Sequence, residues 1–326
     1  MLLAVLLTLL LIVTLWRFDG GNILHSARQI PLWLGLLLAG LQTISQLLVN
    51  TLWHQIAKLT HTSISFRQML YVNCQGAVVD AITPGVKFGG EVTRAVQISR
   101  MANCSGEQAA AVVALQKLFS LSSLFFIILF AAGFLIGEIF SLSSLSSLQM
   151  RSLQFLFYGI LLSLLALFIC ILLAPHSILA YLQPRKISRF AWARRARNFL
   201  ITFLEHLAAI RKNTKKLVTL LLLSFLIWLM YPVKLYLLTM PFAPDASIVH
   251  IGAAGFTAYM VAMLPIFPGG LGGFEGTLSG LLAALGFAIS DAIVITVLFR
   301  FITFWLVMLA SVGFVAVYNF GRLHNE

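Results

Sequence analysis

Four stretches of this chain are long and apolar enough to cross a membrane: Phe119–Ile136, Leu153–Ala174, Leu217–Met230 with its apolar continuation, and Ala292–Val317. A crossing helix needs about 20 predominantly apolar residues. Backbone placed in lipid must also satisfy its own hydrogen bonds, which a helix does. The composition agrees, because only 10% of the 326 residues are charged, against about 25% in a soluble domain. A β-barrel would instead show short alternating segments. The expected fold is an all-α polytopic integral membrane protein, one transmembrane domain over residues 1–326, with six to eight transmembrane helices. The opening run Met1–Trp16 has no basic residue before it and no A-x-A site after it, so it reads as a short first span, Leu2–Trp16, rather than a cleaved signal.

Lys and Arg mark cytoplasmic loops. Residues 185–216 carry ten of them against one acid, Glu205, and Lys58–Glu107 is also basic on balance. The spans Ala109–Ile136 and Leu153–Ala174 separate the two segments, so both can face the cytoplasm, while the Ser-rich Gly137–Ser152 suits the outside. The N-terminus and the tail Tyr318–Glu326 are then also inside, with further spans at about Pro31–Val49 and Leu217–Thr239. Within the basic segment, Ser188–Asn213 reads as an amphipathic helix, with Ala196, Leu200, Phe203, Leu207 and Ile210 on one face. Its expected place is the anionic inner leaflet. The net charge of +12 therefore points to a membrane surface and not to nucleic acid.

The pattern P-G-x-x-x-G-x-E-x-T occurs twice, in "TPGVKFGGEVTR" from Thr83 and in "FPGGLGGFEGTL" from Phe267. Pro84, Gly85, Gly89, Glu91 and Thr93 match Pro268, Gly269, Gly273, Glu275 and Thr277, each 184 residues later. The same shift lays the flanking spans over one another, so that helix, broken loop, helix recurs in halves of about 31–137 and 215–321. One loop is entered from the cytoplasm and the other from outside, which makes an inverted-topology repeat. The first hairpin, with arms near Phe66–Thr83 and Val92–Ser105, is too polar to face lipid and is expected to be re-entrant or to wall an aqueous cavity. The second has arms Ile248–Phe267 and Thr277–Ile289, apolar enough to span, though the second arm is short. Broken segments at matching places in two halves point to a transport site.

The motifs "TPGVKFGGEVTRA", "LPIFPGGLGGFEG" and "LGFAISDAIVITVLFRFITFW", in this order of spans, resemble the lysylphosphatidylglycerol synthase transmembrane-region family over essentially the whole chain. Lys87 stands in a loop that is otherwise small and uncharged in that family. Family members fused to an aminoacyl-transferase domain make and translocate aminoacylated phosphatidylglycerol, and their membrane half is assigned lipid flipping. The resemblance implies a flippase-like role here. Only nine residues follow the last span, so the synthase activity is not expected.

Several residues carry chemistry. The tip residues Pro84, Gly85, Gly89, Pro268, Gly269, Gly270, Gly272 and Gly273 allow tight turns. The helix start after each tip favours a phosphate, and Lys87 and Arg94 add positive charge at the first. The same Gly spacing also serves close helix packing. Glu91 and Glu275 fall in the first turn after each tip, where a carboxylate stabilises the helix dipole. With Asp80, they are also the candidate coupling carboxylates, and Glu91 could neutralise Arg94. Lys117 and Arg300 lie at matching depth, one position out of register, and each needs a partner, water or substrate. Lys117 could instead snorkel to the surface. Asp291 reads as the start of the last helix. Cys74, Cys104 and Cys170 show no metal or disulfide spacing, and the seven histidines show no metal pattern.

No catalytic constellation, cofactor motif or metal motif is present in the sequence, so an enzyme is not the expected reading. The leading expectation is a flippase for an anionic, phosphate-headed lipid in the cytoplasmic (inner) membrane. Its partners would be that lipid and the anionic inner leaflet, with a homodimer left open. The alternatives are an intramembrane transferase acting on a lipid-linked substrate and a structural partner of a membrane enzyme. The topology is directly testable. Cysteines introduced at Asn213 and at Ser147 should label from opposite sides of the membrane; labelling of both from one side would contradict the inverted repeat.

Overall fold

The computed structural model describes residues 20–83, 88–142, 147–182, 190–264 and 270–323. The expected first span and the tip residues Pro84, Gly85, Lys87, Pro268 and Gly269 lie outside them. Thirteen helices are described: α1 Gly20–Arg28, α2 Leu32–Leu59, α3 Phe66–Ile82, α4 Phe88–Ala102, α5 Gly106–Leu142, α6 Ser147–Leu173, α7 Pro175–Leu182, α8 Ala191–Lys212, α9 Thr214–Thr239, α10 Ile248–Ala262, α11 Gly273–Ala284, α12 Ile289–Arg300 and α13 Leu306–Leu323. A π-helical turn, Phe301–Trp305, joins the last two into one rod. The helices α2, α5, α9 and this rod each contain a stretch long and apolar enough to cross a membrane.

The 184-residue shift carries through the elements. It places α2 on 216–243, α3 on 250–266, α4 on 272–286 and α5 on 290–326, over α9, α10, α11 and the last rod respectively. The packing repeats as well. α2 packs on its counterpart α9, hairpin α3–α4 packs against α13, and hairpin α10–α11 packs against α5.

Two apolar clusters fix the helix directions. The first joins Leu34 and Leu38 of α2, Leu124 and Ile128 of α5, Leu235 and Leu238 of α9, hairpin α10–α11, and Ala292–Ile302. The second joins Leu52–Ala57 of α2, Ala109–Phe119 of α5, Leu220 of α9, Met69 and Val72 of α3, Ile98 of α4, and α8. α2 thus runs from the first cluster to the second, and its counterpart α9 runs the opposite way. Each hairpin belongs to the cluster at its own end, so the two halves are inverted relative to each other.

The described hairpin arms are short for membrane spans. They have 17, 15, 15 and 12 residues, or about 18–26 Å at about 1.5 Å per residue. That falls short of an apolar layer of about 30 Å. With both arms in one cluster, each hairpin enters and leaves at the same end. Local chemistry starts the first: Ser65 caps α3, accepting from the Gln68 N–H at 3.3 Å while its own N–H donates to Gln68 Oε1 at 2.8 Å. Outside the bundle, Leu32, Phe130, Phe155 and Leu222 expose more than half of their surface, as lipid-facing side chains do.

The expectation for the basic segment needs correction in part. The helix starts at Ala191, and only the later part of its face, Phe203, Leu207 and Ile210, is buried, in the second cluster. Ala196 and Leu200 are exposed, beside exposed Phe190 and Trp192. The C-terminal half of α8 is therefore bundle core, and only its first half is free to meet a surface. Leu207→Ala should lower stability by about 2–5 kcal/mol in thermal unfolding of the detergent-solubilised protein, while Leu200→Ala should leave it unchanged. Equal small effects would show that α8 does not belong to the core.

Candidate functional site

Charge enters this apolar bundle beside the tip of each hairpin. At the first, Arg94 on α4 reaches back across the hairpin. Its Nη1 donates to Asp80 Oδ2 at 3.0 Å and to Glu91 Oε1 at 3.1 Å. Lys117 Nζ, from α5, lies 2.6 Å from the same Glu91 oxygen. Asp80 also accepts from the Gly90 N–H at 3.0 Å. Two carboxylates and two cations thus form one network, with 11–16% of the Arg94, Asp80 and Glu91 side chains exposed and 33% of Lys117. Arg94 lies 5.8 Å from the Trp53 ring centre.

Two glycines make room for this network. A Cβ on Gly76 would come within 2.5 Å of the Arg94 guanidinium, and one on Gly90 would collide with the Asp80 carboxylate. The helices of the hairpin approach closely so that each can accept the other's charged side chain. Gly89, singled out from the sequence, plays a lesser part, since a Cβ there would press on the Thr83 side chain at 2.8 Å.

The second hairpin repeats the theme with fewer charges. Glu275 is buried in the first turn of α11, and its Oε2 accepts from the Gly272 N–H at 2.6 Å. Its Oε1 lies 3.2 Å from Arg300 Nε. Arg300 also stands over the rings of Phe304, at 4.3 Å, and Phe274, at 5.0 Å. Gly270 and Gly272 have φ of 72° and 83°, backbone that favours glycine, and this turn aims the Gly272 N–H at the carboxylate. Gly273 is buried at the start of α11.

The two halves share one arrangement. A first-turn carboxylate, Glu91 or Glu275, meets a cation on the next helix. That cation, Lys117 or Arg300, lies eleven residues after the first residue of its helix. Thus the sequence-predicted residues Asp80, Gly89, Glu91, Arg94 and Lys117 gather at one end, and Gly270, Gly272, Gly273, Glu275 and Arg300 at the other. Lys117 makes an ion pair in addition to its partial exposure. Asp291, three residues into α12, accepts from the Ser26 hydroxyl of α1 at 2.6 Å and takes no part in either cluster.

Sequence reasoning missed Gly76 and Gly90, whose role shows only when α3 and α4 are laid together. The polarity of hairpin one was read from the sequence, but the partners of its polar side chains were not. The Asn73 amide donates to Asn50 Oδ1 at 2.8 Å, and the Tyr71 hydroxyl donates to Asn319 Oδ1 at 2.7 Å, tying α3 to α2 and α13. Lys234, buried in α9 against Gln42 and Ser45 of α2, was missed as well. A lysine within the apolar run after Leu217 was the available signal. Among the described residues, no group of three His, Cys, Asp or Glu side chains could hold a metal.

The Glu275–Arg300 pair gives a clean test. Arg300→Met leaves a buried carboxylate without its cation and should cost about 3–5 kcal/mol. Adding Glu275→Gln should recover most of that loss in a double-mutant cycle followed by thermal unfolding. Additive losses would mean that the two side chains do not interact.

A family model described as "Lysylphosphatidylglycerol synthase TM region" matches residues 1–311. A UPF0104 membrane protein of Methanothermobacter thermautotrophicus is 26% identical over 286 residues, 84% of this chain and 81% of its own length. UPF0104 membrane proteins of Pyrococcus horikoshii and Methanocaldococcus jannaschii are 24% and 23% identical, over 81% and 85% of this chain and 80% and 82% of their own lengths. With these motifs, an inverted pair of broken hairpins and a match along nearly its whole length, the chain is a multi-pass membrane protein that belongs to the lysylphosphatidylglycerol synthase TM region family.

Proposed function

We propose that this protein moves an anionic, phosphate-headed lipid or lipid-linked intermediate across the cytoplasmic membrane, with its termini and basic segment on the cytoplasmic side. The observation that carries this reading is the recurrence of one carboxylate–cation arrangement at the two opposite ends of an inverted repeat, Glu91 with Lys117 and Glu275 with Arg300. A transporter needs one site reachable from two sides, and inverted halves supply it.

The chemistry suits a phosphate. Each helix start presents N–H groups and the positive end of its dipole, and each has a cation beside it. A phosphate can bind a guanidinium through two parallel hydrogen bonds. The carboxylates hold these cations as a phosphate would. An arriving headgroup would take over Lys117 and Arg94 at one end or Arg300 at the other. The tip residues Pro84, Gly85, Lys87, Pro268 and Gly269 would line its path while the acyl tails stay in the bilayer. Phe190 and Trp192, exposed next to Arg194 and Arg195, would rest on the anionic inner leaflet. Asp80 and Glu91 both bond to Arg94, which favours transport over a transferase that needs a free carboxylate.

The test is reconstitution into vesicles carrying fluorescent phosphatidylglycerol or a zwitterionic analogue. The protein should speed movement of the anionic lipid between leaflets over protein-free vesicles. Lys117→Met together with Arg300→Met should reduce that rate at least tenfold. Movement no faster than in protein-free vesicles would overturn the reading.

A further inference from the structure

Among the described residues, a further buried basic side chain lies away from both hairpin networks. Lys234 of α9 is 3% exposed. Its Nζ donates to Gln42 Oε1 and, at 3.1 Å, to the Ser45 hydroxyl, and both of these α2 residues are 5% exposed. Among the described residues no carboxylate pairs with it. On α9 and the helices packed against it, the ionisable groups at this end are Tyr231 and Tyr236 of α9, His250 and Tyr259 of α10, and Asp291 and Arg300 of α12. The first half of α2, and α5 from Leu118 to Phe130, carry none. No hydrogen bond or ion pair joins any of them to Lys234.

The stoichiometry of this pocket is informative. A neutral amine has two N–H donors and an ammonium has three. The pocket offers two acceptors, both neutral. The amine is therefore satisfied in place, and the ammonium needs one acceptor more, which water can supply. An Asp or Glu partner would fix the charge; Gln42 and Ser45 do not. The three carboxylates expected as coupling groups, Asp80, Glu91 and Glu275, each already balance a cation.

Position adds to this. Shifted by 184 residues, Lys234 falls on Asn50, which is fully buried and donates its amide to the Phe66 carbonyl at 3.1 Å. The ion pairs occur in both halves, whereas this amine occurs in one, at the contact between the counterpart helices α2 and α9. Pro232 interrupts α9 two residues earlier, a place where a helix bends. Hairpin two presses on that spot: a Cβ on Gly252 would lie 2.9 Å from Pro232, and one on Gly255 would lie 2.7 Å from Leu235.

We propose that Lys234 is a proton-carrying residue that couples the relative movement of the two halves to the proton gradient, an inference that rests on the transport reading above. When α9 and α2 part, Nζ accepts a proton from water. When they close on Gln42 and Ser45, the third N–H bond breaks, the proton leaves to water on the other side, and nitrogen keeps the electron pair. No other reactant is needed.

The test uses the full chain in vesicles with fluorescent phosphatidylglycerol, an imposed pH gradient and an internal pH dye. One proton per cycle allows at most about tenfold lipid accumulation per pH unit. Wild type should approach that limit and move protons with lipid. Lys234→Met, which fills the site without charge, should keep lipid exchange at equal pH and lose both the accumulation and the proton movement. Wild type that moves lipid but ignores the gradient would overturn the proposal, as would Lys234→Met that still responds to it. If wild type moves no lipid, the transport reading falls, and the protonation of Lys234 is read separately by nitrogen NMR of labelled lysine, with Lys234→Met as assignment. Both amine and ammonium forms should appear across the pH range in which the protein stays folded; ammonium alone at every pH would overturn the proposal.

Discussion

The structure depends on the pairing of carboxylate and cation beside the tip of each broken hairpin. An unpaired charge at this depth costs about 2.5–3.5 kcal/mol on insertion scales. The chain places Arg94, Lys117 and Arg300 in a bundle whose other members are mostly Leu, Ile, Phe and Val. Glu91 with Asp80, and Glu275, make that placement tolerable. They also fix where each hairpin sits, because each pair joins a hairpin to the long helix that follows it. Glu91 fastens α4 to α5, and Glu275 fastens α11 to the end of α12.

The long helices follow from the same constraint. Broken backbone survives inside a membrane only where protein or water shields it. Each hairpin is sheltered by the long helix of its own half and by the long helix of the other, α13 for the first and α5 for the second. The inverted repeat makes this mutual. The two hairpins nevertheless differ in polarity. Hairpin one is threaded with Asn73, Gln75, Asp80 and Arg94, while hairpin two packs Phe256, Phe274 and Leu278 into the first cluster. The halves share a plan and carry different loads, and Lys234 against Asn50 is the sharpest such difference.

Much of this was legible in the sequence. The arm Phe66–Thr83 is α3 to within a residue, and Leu217–Thr239 lies inside α9, because apolar length and the Pro-Gly breaks mark both ends. Arg300 was expected to need a partner, water or substrate, and Glu275 pairs with it. What escaped has physical causes. Amphipathicity cannot tell whether the apolar face of α8 meets lipid or protein, since both are apolar; only packing shows that Phe203, Leu207 and Ile210 are core. Gly76 and Gly90 look like ordinary small residues until Arg94 and Asp80 are placed beside them. Lys234 bonds to neutral side chains far away in the chain, so no charge pattern announces it.

Transport as proposed requires the two ends of the bundle to open in alternation around the paired charges. Distances between spin labels in vesicles measure this directly, with one pair at Phe66 and Phe320 and another at Ile248 and Phe130, all exposed positions. The account predicts that adding anionic lipid widens one pair as the other narrows. Two distances that stay fixed, or that widen together, would contradict it.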